Sequence, residues 1–421
     1  MELVVQALAA AAALLAVFFL STLYLSPAAT ARRLRNAGFR GPTPSFPLGN
    51  LREIASSLAS NDDTDEPNTK GGDIHAAVFP YFARWRRAFG KVFVYWLGTE
   101  PFLYVADPEF LKAATAGALG KLWGKPDVFR RDRMPMFGRG LETTAKMLGE
   151  WGDMVASGQS CVDVEKGVVR NAAEIIARAS FGISADDDAT GARVFHKLQA
   201  MQAMLFRSTR LVGVPLAGLL HIRATYEAWK LGREIDALLL DIIESRRRRR
   251  REGGGGRKTT SNDLLSLLLA GSEASAGAER KLTTRELVDE CKTFFFGGHE
   301  TTALALSWTL LMLAAHPEWQ AAVREEVEEL WGEEAHEFRP ERFMREAVQG
   351  GCRHRMGYVP FGFGGRICVG RNLTAMELRV VLAMVLRRFA VEVAPEYRHA
   401  PRIMLSLRPS HGIQLRLTPL C

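Results

Sequence analysis

The first apolar segment of the chain is one uninterrupted run from Leu3 to Leu25 that contains no charged residue. At about 1.5 Å per residue, a helix of this length reaches roughly 35 Å, which is enough for a hydrocarbon core of about 30 Å. We therefore predict a transmembrane anchor over residues 1–25. A cleaved signal peptide is the alternative, since small residues follow at Ala28 and Ala29. However, no basic residue precedes the run.

A basic and proline-rich hinge is predicted next, over residues 26–50. Its positive residues lie just after the apolar run: Arg32, Arg33, Arg35 and Arg40. Positive residues at this place favour a body on the cytosolic side. The prolines of "GPTPSFPLGN" are too closely spaced for a helix, so they predict a stiff turn between anchor and body.

The body, residues 51–421, begins with strand-like segments and continues as a mostly helical chain. "KVFVYWLGTEPFLYV" is rich in Val, Tyr, Phe and Trp, and Gly98–Pro101 marks a turn, which predicts two short strands. From about Glu142 to Leu269 the pattern is helical with polar or glycine-rich breaks. The end of the chain, "IMLSLRPSHGIQLRLTP", predicts two strands around a Pro/Gly turn.

One helix is marked more sharply than the others. Thr283 and Glu286 fit a capping box, and apolar residues continue to about Ala315. Pro317 then suits the first turn of a further helix. Together these patterns predict a mainly α fold with a minor β part.

Charge and cysteine content exclude several classes. The chain has 55 Lys and Arg against 47 Asp and Glu, and Arg246–Arg251 contributes part of the excess. Because glycines follow this run, we predict a solvated loop. A nucleic-acid or nuclear-localisation role is disfavoured by the anchor, so no nucleic-acid partner is expected. The five cysteines form no Cys-x-x-Cys pair, which disfavours zinc fingers and disulfide frameworks and indicates reduced thiols.

A polar segment, Gly297 to Thr302, lies in the middle of the apolar helix. Two glycines there cost roughly 1 kcal/mol each relative to alanine. Two explanations fit these glycines: close approach of a flat ligand, or close packing of another helix. The His-Glu-Thr-Thr that follows favours a ligand, because an acid and a hydroxyl can relay protons. "HETTA" is not the His-Glu-x-x-His zinc motif, since the fifth residue is Ala303.

A second candidate centre is the glycine-rich turn "PFGFGGRICVGRN", which contains Cys368. A lone buried cysteine is usually only a small apolar side chain. Here the glycines allow tight backbone geometry, and Arg366 adds a positive charge that favours a thiolate or binds an anionic cofactor edge. A helix predicted from Asn372 to Arg387 would stabilise negative charge at the sulfur through its dipole.

With these two segments, the sequence resembles the cytochrome P-450 family of haem-thiolate monooxygenases, in its membrane-bound plant form. Phe361, Gly364, Arg366, Cys368 and Gly370 occupy the defining positions of that family's haem-binding loop. The "GGHET" segment is similar to its oxygen-activating motif, and "PERF" at residues 340–343 matches another family element. The anchor, the hinge and the final strand pair extend the resemblance over nearly the whole chain.

The resemblance implies a role for each of these residues. Cys368 would be the axial thiolate of a heme b, with Arg366 at a propionate and Phe361 beside the sulfur. Gly364 and Gly370 would shape the cofactor-binding loop, and Glu300 and Thr301 would be the catalytic pair that delivers protons. Electrons would come from NADPH through a separate NADPH-cytochrome reductase. The resemblance also implies a single-pass protein of the endoplasmic reticulum membrane.

Two elements of the family pattern are missing. No Trp-x-x-x-Arg segment, the usual propionate-binding helix, directly follows "GRGL". Between Pro317 and Phe343 there is no Glu-x-x-Arg, so Arg342 would lack its network partners. Family-like sequence continues up to each join, so we place deletion seams near 141/142 and 330/331. A skipped exon, an error in gene prediction or a splice isoform would each produce them.

Within the family, "FFFGGHETTALALSWTLLMLAAHPEWQ" most resembles the plant branch that includes cytokinin hydroxylases. The resemblance implies trans-hydroxylation of an isopentenyl side chain, a small hydrophobic substrate. A gibberellin or fatty-acid hydroxylase is the alternative enzyme. Because of the two seams, an inactive, haem-poor fragment is the alternative from another class, and whether the chain is an enzyme stays open at this point.

Overall fold

The protein is described by a computed structural model. The structure describes residues 2–59, 78–115, 140–182, 196–198, 200–201, 204, 222–252, 263–274, 282–331, 356, 359–364, 367–404 and 406–420. These residues fall into two compact units. The first contains Met1–Leu122, Arg207–Tyr226 and Gln349–Val359, and the second contains Trp123–Phe206, Glu227–Val348 and Pro360–Cys421.

The first unit begins with a long helical run. It consists of α1 (Glu2–Leu20), a π-helical turn (Ser21–Leu25) and α2 (Ser26–Asn36). Within it, Ala9–Asn36 is long and apolar enough to cross a membrane, and none of its most apolar stretch is buried in the protein. The predicted anchor is therefore helical. Its helix continues through the first arginines of the hinge, and irregular chain begins only at Ala37.

The rest of the first unit is a small α/β layer. Its elements are α3 (Leu51–Ala59), α4 (Pro80–Phe89), β1 (Val92–Leu97), β2 (Glu100–Val105) and α5 (Pro108–Thr115). The predicted hairpin is confirmed, since β1 and β2 pair antiparallel with Leu97 opposite Glu100. Its core is aromatic, with Tyr81, Trp85 and Phe93 buried against one another, because stacked and edge-on rings pack well on a pleated surface.

The second unit is mostly helical, as the periodicity predicts. Its helices are α6 (Gly140–Ala156), α7 (Val164–Phe181), α8 (Ile222–Glu252, from Glu227 onward), α9 (Leu264–Ala274), α10 (Thr284–Ala315), α11 (Pro317–Trp331) and α12 (Arg371–Arg388). Its strands are β3 (Cys161–Asp163), β4 (Phe389–Val393), β5 (Pro401–Met404), β6 (Ser406–Pro409) and β7 (Gln414–Pro419).

Helix α10 is the central element of this unit. The predicted capping box is confirmed: the Thr283 hydroxyl accepts from the backbone N–H of Glu286, and the Glu286 carboxylate accepts from the backbone N–H of Thr283. The N-terminal half of α10 packs with α7, α8 and α9 in one core cluster. Its C-terminal half packs with α6, α12 and β7 in another. A helix buried on most of its surface therefore carries the polar segment that begins at Gly297.

The two strands predicted around the Pro/Gly turn are confirmed, but they do not pair with each other. Strands β6 and β7 both exist, but they belong to different sheets. Strand β6 pairs with β5, with Arg402 opposite Arg408, whereas β7 lies between β3 and β4. Pairing of β7 with both β3 and β4 buries Leu415 and Leu417. The turn between β6 and β7 was predicted correctly from the sequence, but burial of apolar side chains determines which strands pair with β7.

The arginine run is not the predicted loop. Arg246–Arg251 forms the last turns of α8. Arginine has good helix propensity, and a helix C-terminus favours cations. Arg246 also donates to Asp263 at 2.9 Å and to the carbonyl of Phe181 at 2.7 Å, so part of the run is structural.

Candidate functional site

The cysteine loop ends at the N-terminus of α12. The backbone N–H of Cys368 donates to the carbonyl of Phe361 at 2.7 Å, and that of Ile367 donates to the carbonyl of Gly364 at 3.3 Å. Gly364 has a φ of +59°, a conformation that L side chains rarely adopt. These bonds close the loop into a tight turn, and the Cys368 thiol remains partly exposed.

The sulfur of Cys368 lies close to the first turn of α12. Gly370 is the N-cap of that helix, and a Cβ built at Gly370 would stand 3.9 Å from Cys368 Sγ. The N-terminus of a helix favours negative charge. This position therefore agrees with the predicted stabilisation of a thiolate by the helix dipole.

The other described cysteines are poorer metal ligands. Burial raises the pKa of the Cys291 thiol to about 12, so it stays protonated. Partial burial raises the pKa of Cys161, and the nearby Glu396 carboxylate acts in the same direction. Cys352 and Cys421 lie outside the described residues.

A hydrogen bond between two threonines brings the cysteine loop and the polar segment of α10 together. Thr302 Oγ1 and Thr374 Oγ1 are 3.2 Å apart. Thr374 lies in the first turn of α12, where its N–H donates to Gly370 at 2.9 Å. Two segments that are far apart in sequence are thereby held side by side.

The two glycines of α10 have different surroundings. A Cβ at Gly298 would stand 2.7 Å from Ile176 of α7, so this glycine permits close helix packing. At Gly297, by contrast, no atom of the described residues lies within 4 Å of the Cβ position. Thr301, one turn later, is exposed and donates to the carbonyl of Gly297 at 2.8 Å. Close helix packing therefore explains Gly298, whereas Gly297 faces open space.

Alanine substitutions should separate these two roles. Gly298→Ala is expected to lower the free energy of unfolding by about 1–3 kcal/mol, because the new methyl group overlaps Ile176. Gly297→Ala should raise it by up to about 1 kcal/mol, because alanine favours the helix and meets no described neighbour. Denaturant unfolding of the two variants provides the measurement. Adding Ile176→Val to Gly298→Ala should recover part of the loss, and equal effects of both alanines would contradict this assignment.

Glu300 is buried and engaged in an ion pair. It is 4% exposed. Its Oε1 accepts from Arg408 Nη2 at 2.6 Å, from Arg408 Nε at 2.7 Å and from Ser406 Oγ at 2.7 Å. The family resemblance implies that Glu300 is one member of a proton-delivering pair. The structure shows, in addition, that Glu300 has two partners on strand β6. No local pattern reveals them, since Arg408 is 108 residues away.

Comparison with known proteins identifies this arrangement. A family model described as "Cytochrome P450" matches residues 125–334 and 328–417. The chain belongs to the cytochrome P450 family. This establishes the family inferred from the two motifs.

Among the P450 relatives, "Cytochrome P450 714C3" of Oryza sativa subsp. japonica is 28% identical over 96% of this chain and 97% of its own length. A "Cytokinin hydroxylase" of Arabidopsis thaliana is 28% identical over 94% of each chain. The solved "cytochrome P450DA heme domain" has a TM-score of 0.60, covering 85% of this chain and 97% of its own at 20% identity, which shows the P450 fold.

The alignments also bear on the missing segments. The alignment with the Oryza relative extends over 511 positions, more than the 421 residues of this chain. P450 relatives therefore carry segments without a counterpart here. The family model matches in two parts that overlap at residues 328–334, beside the seam predicted near 330/331. The other predicted seam, near 141/142, lies within the first turn of α6.

The described part of the site fits the haem that the P450 family implies. Open space beside Gly297, the exposed Thr301 and the partly exposed thiol of Cys368 suit a flat cofactor with a thiolate ligand. Phe361 is half-buried in the same loop, where Gly364 and Gly370 shape the turn. The predicted propionate partner Arg366 lies outside the described residues, as does Arg342.

One buried acid near the site has a strongly shifted pKa. Burial raises the pKa of Glu377, on α12, from 4.5 to about 8. Glu377 is 5% exposed, and no described residue forms a hydrogen bond with its Oε1. The folded protein therefore holds this proton at pH values where the unfolded chain has lost it. Its contribution to stability is full below about pH 4.5 and falls as the pH rises to about 8.

Replacing this acid should consequently change the pH dependence of folding. In Glu377→Gln, the gain in the free energy of unfolding over the wild type should be small at pH 5 and larger at pH 8, because an amide has no proton to lose. Chemical unfolding at both pH values tests this. The exposed Glu392→Gln controls for the loss of one negative charge. A gain from Glu377→Gln that does not depend on pH would show that Glu377 is not protonated in the fold.

Proposed function

We propose that this chain acts as a haem-thiolate monooxygenase that hydroxylates the isopentenyl side chain of a cytokinin. The observation that carries the proposal is the Thr302–Thr374 contact, because it holds the Cys368 loop beside the open face of Gly297 and Thr301. The substrate rests on similarity to two relatives of Arabidopsis thaliana named "Cytokinin hydroxylase", each 28% identical over at least 94% of the chain.

Cys368 would hold heme b through its thiolate, with Phe361, Gly364, Arg366 and Gly370 as further cofactor-binding residues. The bound haem would supply the activation of dioxygen and the insertion of one oxygen atom into the substrate. The chain itself positions and shields this chemistry. The apolar body of α10 forms one wall, and the Thr301 hydroxyl, now donating to Gly297, can turn to hold a proton or a water at its Oγ1.

The proposed setting is the endoplasmic reticulum membrane, with a single anchor and the body in the cytosol. The apolar helix supports membrane attachment, and the arginines after it support this orientation. A membrane-bound NADPH-cytochrome reductase would then reach the body and supply electrons from NADPH. The small hydrophobic substrate would enter from the membrane or the cytosol.

A haem-poor, membrane-anchored protein without monooxygenase activity is the second candidate. It is supported by the excess of alignment positions over residues, since the segments without a counterpart would include propionate contacts and pocket wall. A gibberellin or fatty-acid hydroxylase is the alternative within the first class. The remaining site residues do not distinguish these substrates, because substrate contacts in such enzymes come from loops on the fold.

The deciding experiment is an absorption spectrum of membranes that contain the expressed chain, reduced and exposed to carbon monoxide. A thiolate-type Soret band supports the proposed haem ligation. Turnover of isopentenyl-type cytokinins with NADPH and a plant reductase should then exceed turnover of gibberellins and fatty acids. Absence of haem would reject the monooxygenase in favour of the second candidate, and haem with turnover only of another substrate would reject the cytokinin assignment.

A further inference from the structure

The ion pair of Glu300 joins two elements of the second unit that are far apart in sequence. Glu300 lies on α10, and Ser406 and Arg408 lie on β6. All three contacts, between 2.6 and 2.7 Å, reach the same oxygen, Oε1. Among the described residues, Oε2 accepts no hydrogen bond, so the described contacts hold the carboxylate through one oxygen.

Strand β6 is fixed on α10 at a second point. Trp308 Nε1 donates to the carbonyl of Leu407 at 2.9 Å. Trp308 lies two turns beyond Glu300, so the β5–β6 hairpin contacts α10 along roughly 12 Å. Two anchors fix both the position and the direction of the strand. Arg408 is therefore presented to Glu300 by a held hairpin and not by a freely moving chain end.

Other ionisable groups surround Arg408. Glu165 lies in the first turn of α7. Burial raises the pKa of Glu165, and the positive charge of Arg408 lowers it. Asp163 and Glu300 also raise the pKa of Glu165, and Lys166 lowers it. His299 is buried and its pKa is lowered by that burial, with a smaller contribution from Arg408. Arg408 is thus paired with Glu300 and also acts electrostatically on Glu165 and His299.

We propose that Arg408 and Ser406 are positioning residues for Glu300. They keep the Glu300 carboxylate ionised by binding its Oε1, and they leave its Oε2 to exchange protons. A buried carboxylate favours its neutral form unless a cation is near. The guanidinium supplies that charge, and two of its N–H groups and the Ser406 hydroxyl set the orientation. The use of these protons in oxygen activation rests on the proposed function. The ion pair is independent of it.

Infrared spectroscopy of the full chain in detergent tests this without requiring haem, because a protonated carboxyl has its own carbonyl stretch. In Arg408→Gln, we expect a new protonated-carboxyl band at neutral pH, absent from the wild type, with its midpoint shifted to higher pH. The band should be lost in Arg408→Gln with Glu300→Gln and kept in Arg408→Gln with Glu165→Gln. Other buried acids, such as Glu377, are present in all of these variants, so their bands cancel when one spectrum is subtracted from another.

Three single variants complete the test. Arg408→Lys retains the charge and should restore ionised Glu300 at neutral pH. Arg402→Gln removes an exposed arginine directly opposite Arg408 on the same hairpin and should produce no band. Ser406→Ala removes one donor and should shift the Glu300 midpoint in the same direction by less. This last variant decides the matter if Arg408→Gln does not fold.

Three results would overturn the proposal. The first is a folded Arg408→Gln protein without the new band. The second is an unchanged midpoint in Ser406→Ala. The third is a band that depends on Glu165 and not on Glu300, since the guanidinium would then serve the other acid. Haem content is measured on the same samples. Haem-free protein that still shows the expected bands would reject the proposed function and leave the ion pair established.

Discussion

Replacing Cys368 by alanine is expected to abolish the thiolate-type Soret band of the reduced, carbon-monoxide-treated protein, together with any hydroxylation. No other side chain of the described loop offers a thiolate. A methyl group has no lone pair for iron, and the positive end of α12 would have lost its anionic neighbour. The spectrum and the haem content of membranes carrying wild type and variant provide the measurement.

Cys161→Ala is the matched control for this loss. Cys161 is a partly exposed thiol of the same unit, beside Glu396 and away from the α12 N-terminus. Its removal should leave the spectrum unchanged. The loop itself should survive Cys368→Ala, because its closing hydrogen bonds use backbone groups of residue 368 and of Phe361. A thiolate-type band that persists in Cys368→Ala would mean that another cysteine ligates the haem.

Replacing Trp151 by alanine is expected to lower the free energy of unfolding by about 3–5 kcal/mol. Trp151 is 2% exposed and belongs to the core cluster that α6 shares with α7, α10 and α12. A Cβ built at Gly167 of α7 would stand 2.6 Å from its ring, so the indole fills the space between two closely packed helices. Denaturant unfolding followed by fluorescence or circular dichroism measures the loss.

Trp319→Ala makes the same chemical deletion at an exposed site. Trp319 is 65% exposed, and the expected change there is within about 0.5 kcal/mol. The comparison also bears on the first seam, because α6 begins at Gly140 and carries the junction near 141/142 in its first turn. If Trp151→Ala costs no more than Trp319→Ala, helix α6 is not packed in the folded chain and the junction has disrupted this part of the P450 fold.

Local patterns were sufficient for the anchor helix, for α10, α11 and α12, and for the motif residues. The Thr283–Glu286 capping box fixed where α10 begins, because both partners lie within one turn. Helix α12 was predicted to within one residue at each end, and the β1–β2 hairpin with its turn was found from residue types alone. In each case, the groups that decide the structure are neighbours in sequence.

Patterns that depend on distant partners were not determined in this way. From its composition, the arginine run of α8 looks like a solvated loop. In the structure, Arg246 donates hydrogen bonds to Asp263 and to the carbonyl of Phe181. Strands β6 and β7 look like partners until burial of Leu415 and Leu417 places β7 between β3 and β4. Packing energy, and not local propensity, selects among these alternatives.

The sequence by itself determined which groups are candidates for the chemistry: the residues of the P450 motifs with the thiol of Cys368, the pair Glu300 and Thr301, and the membrane-type apolar run. Only the tertiary structure decided how those groups are held. It assigned Gly298 to helix packing and Gly297 to open space, joined the two motifs through Thr302 and Thr374, and placed Arg408 on Glu300. The physical reason is that residue type sets what a group can do, whereas its burial and its partners depend on residues far away in sequence.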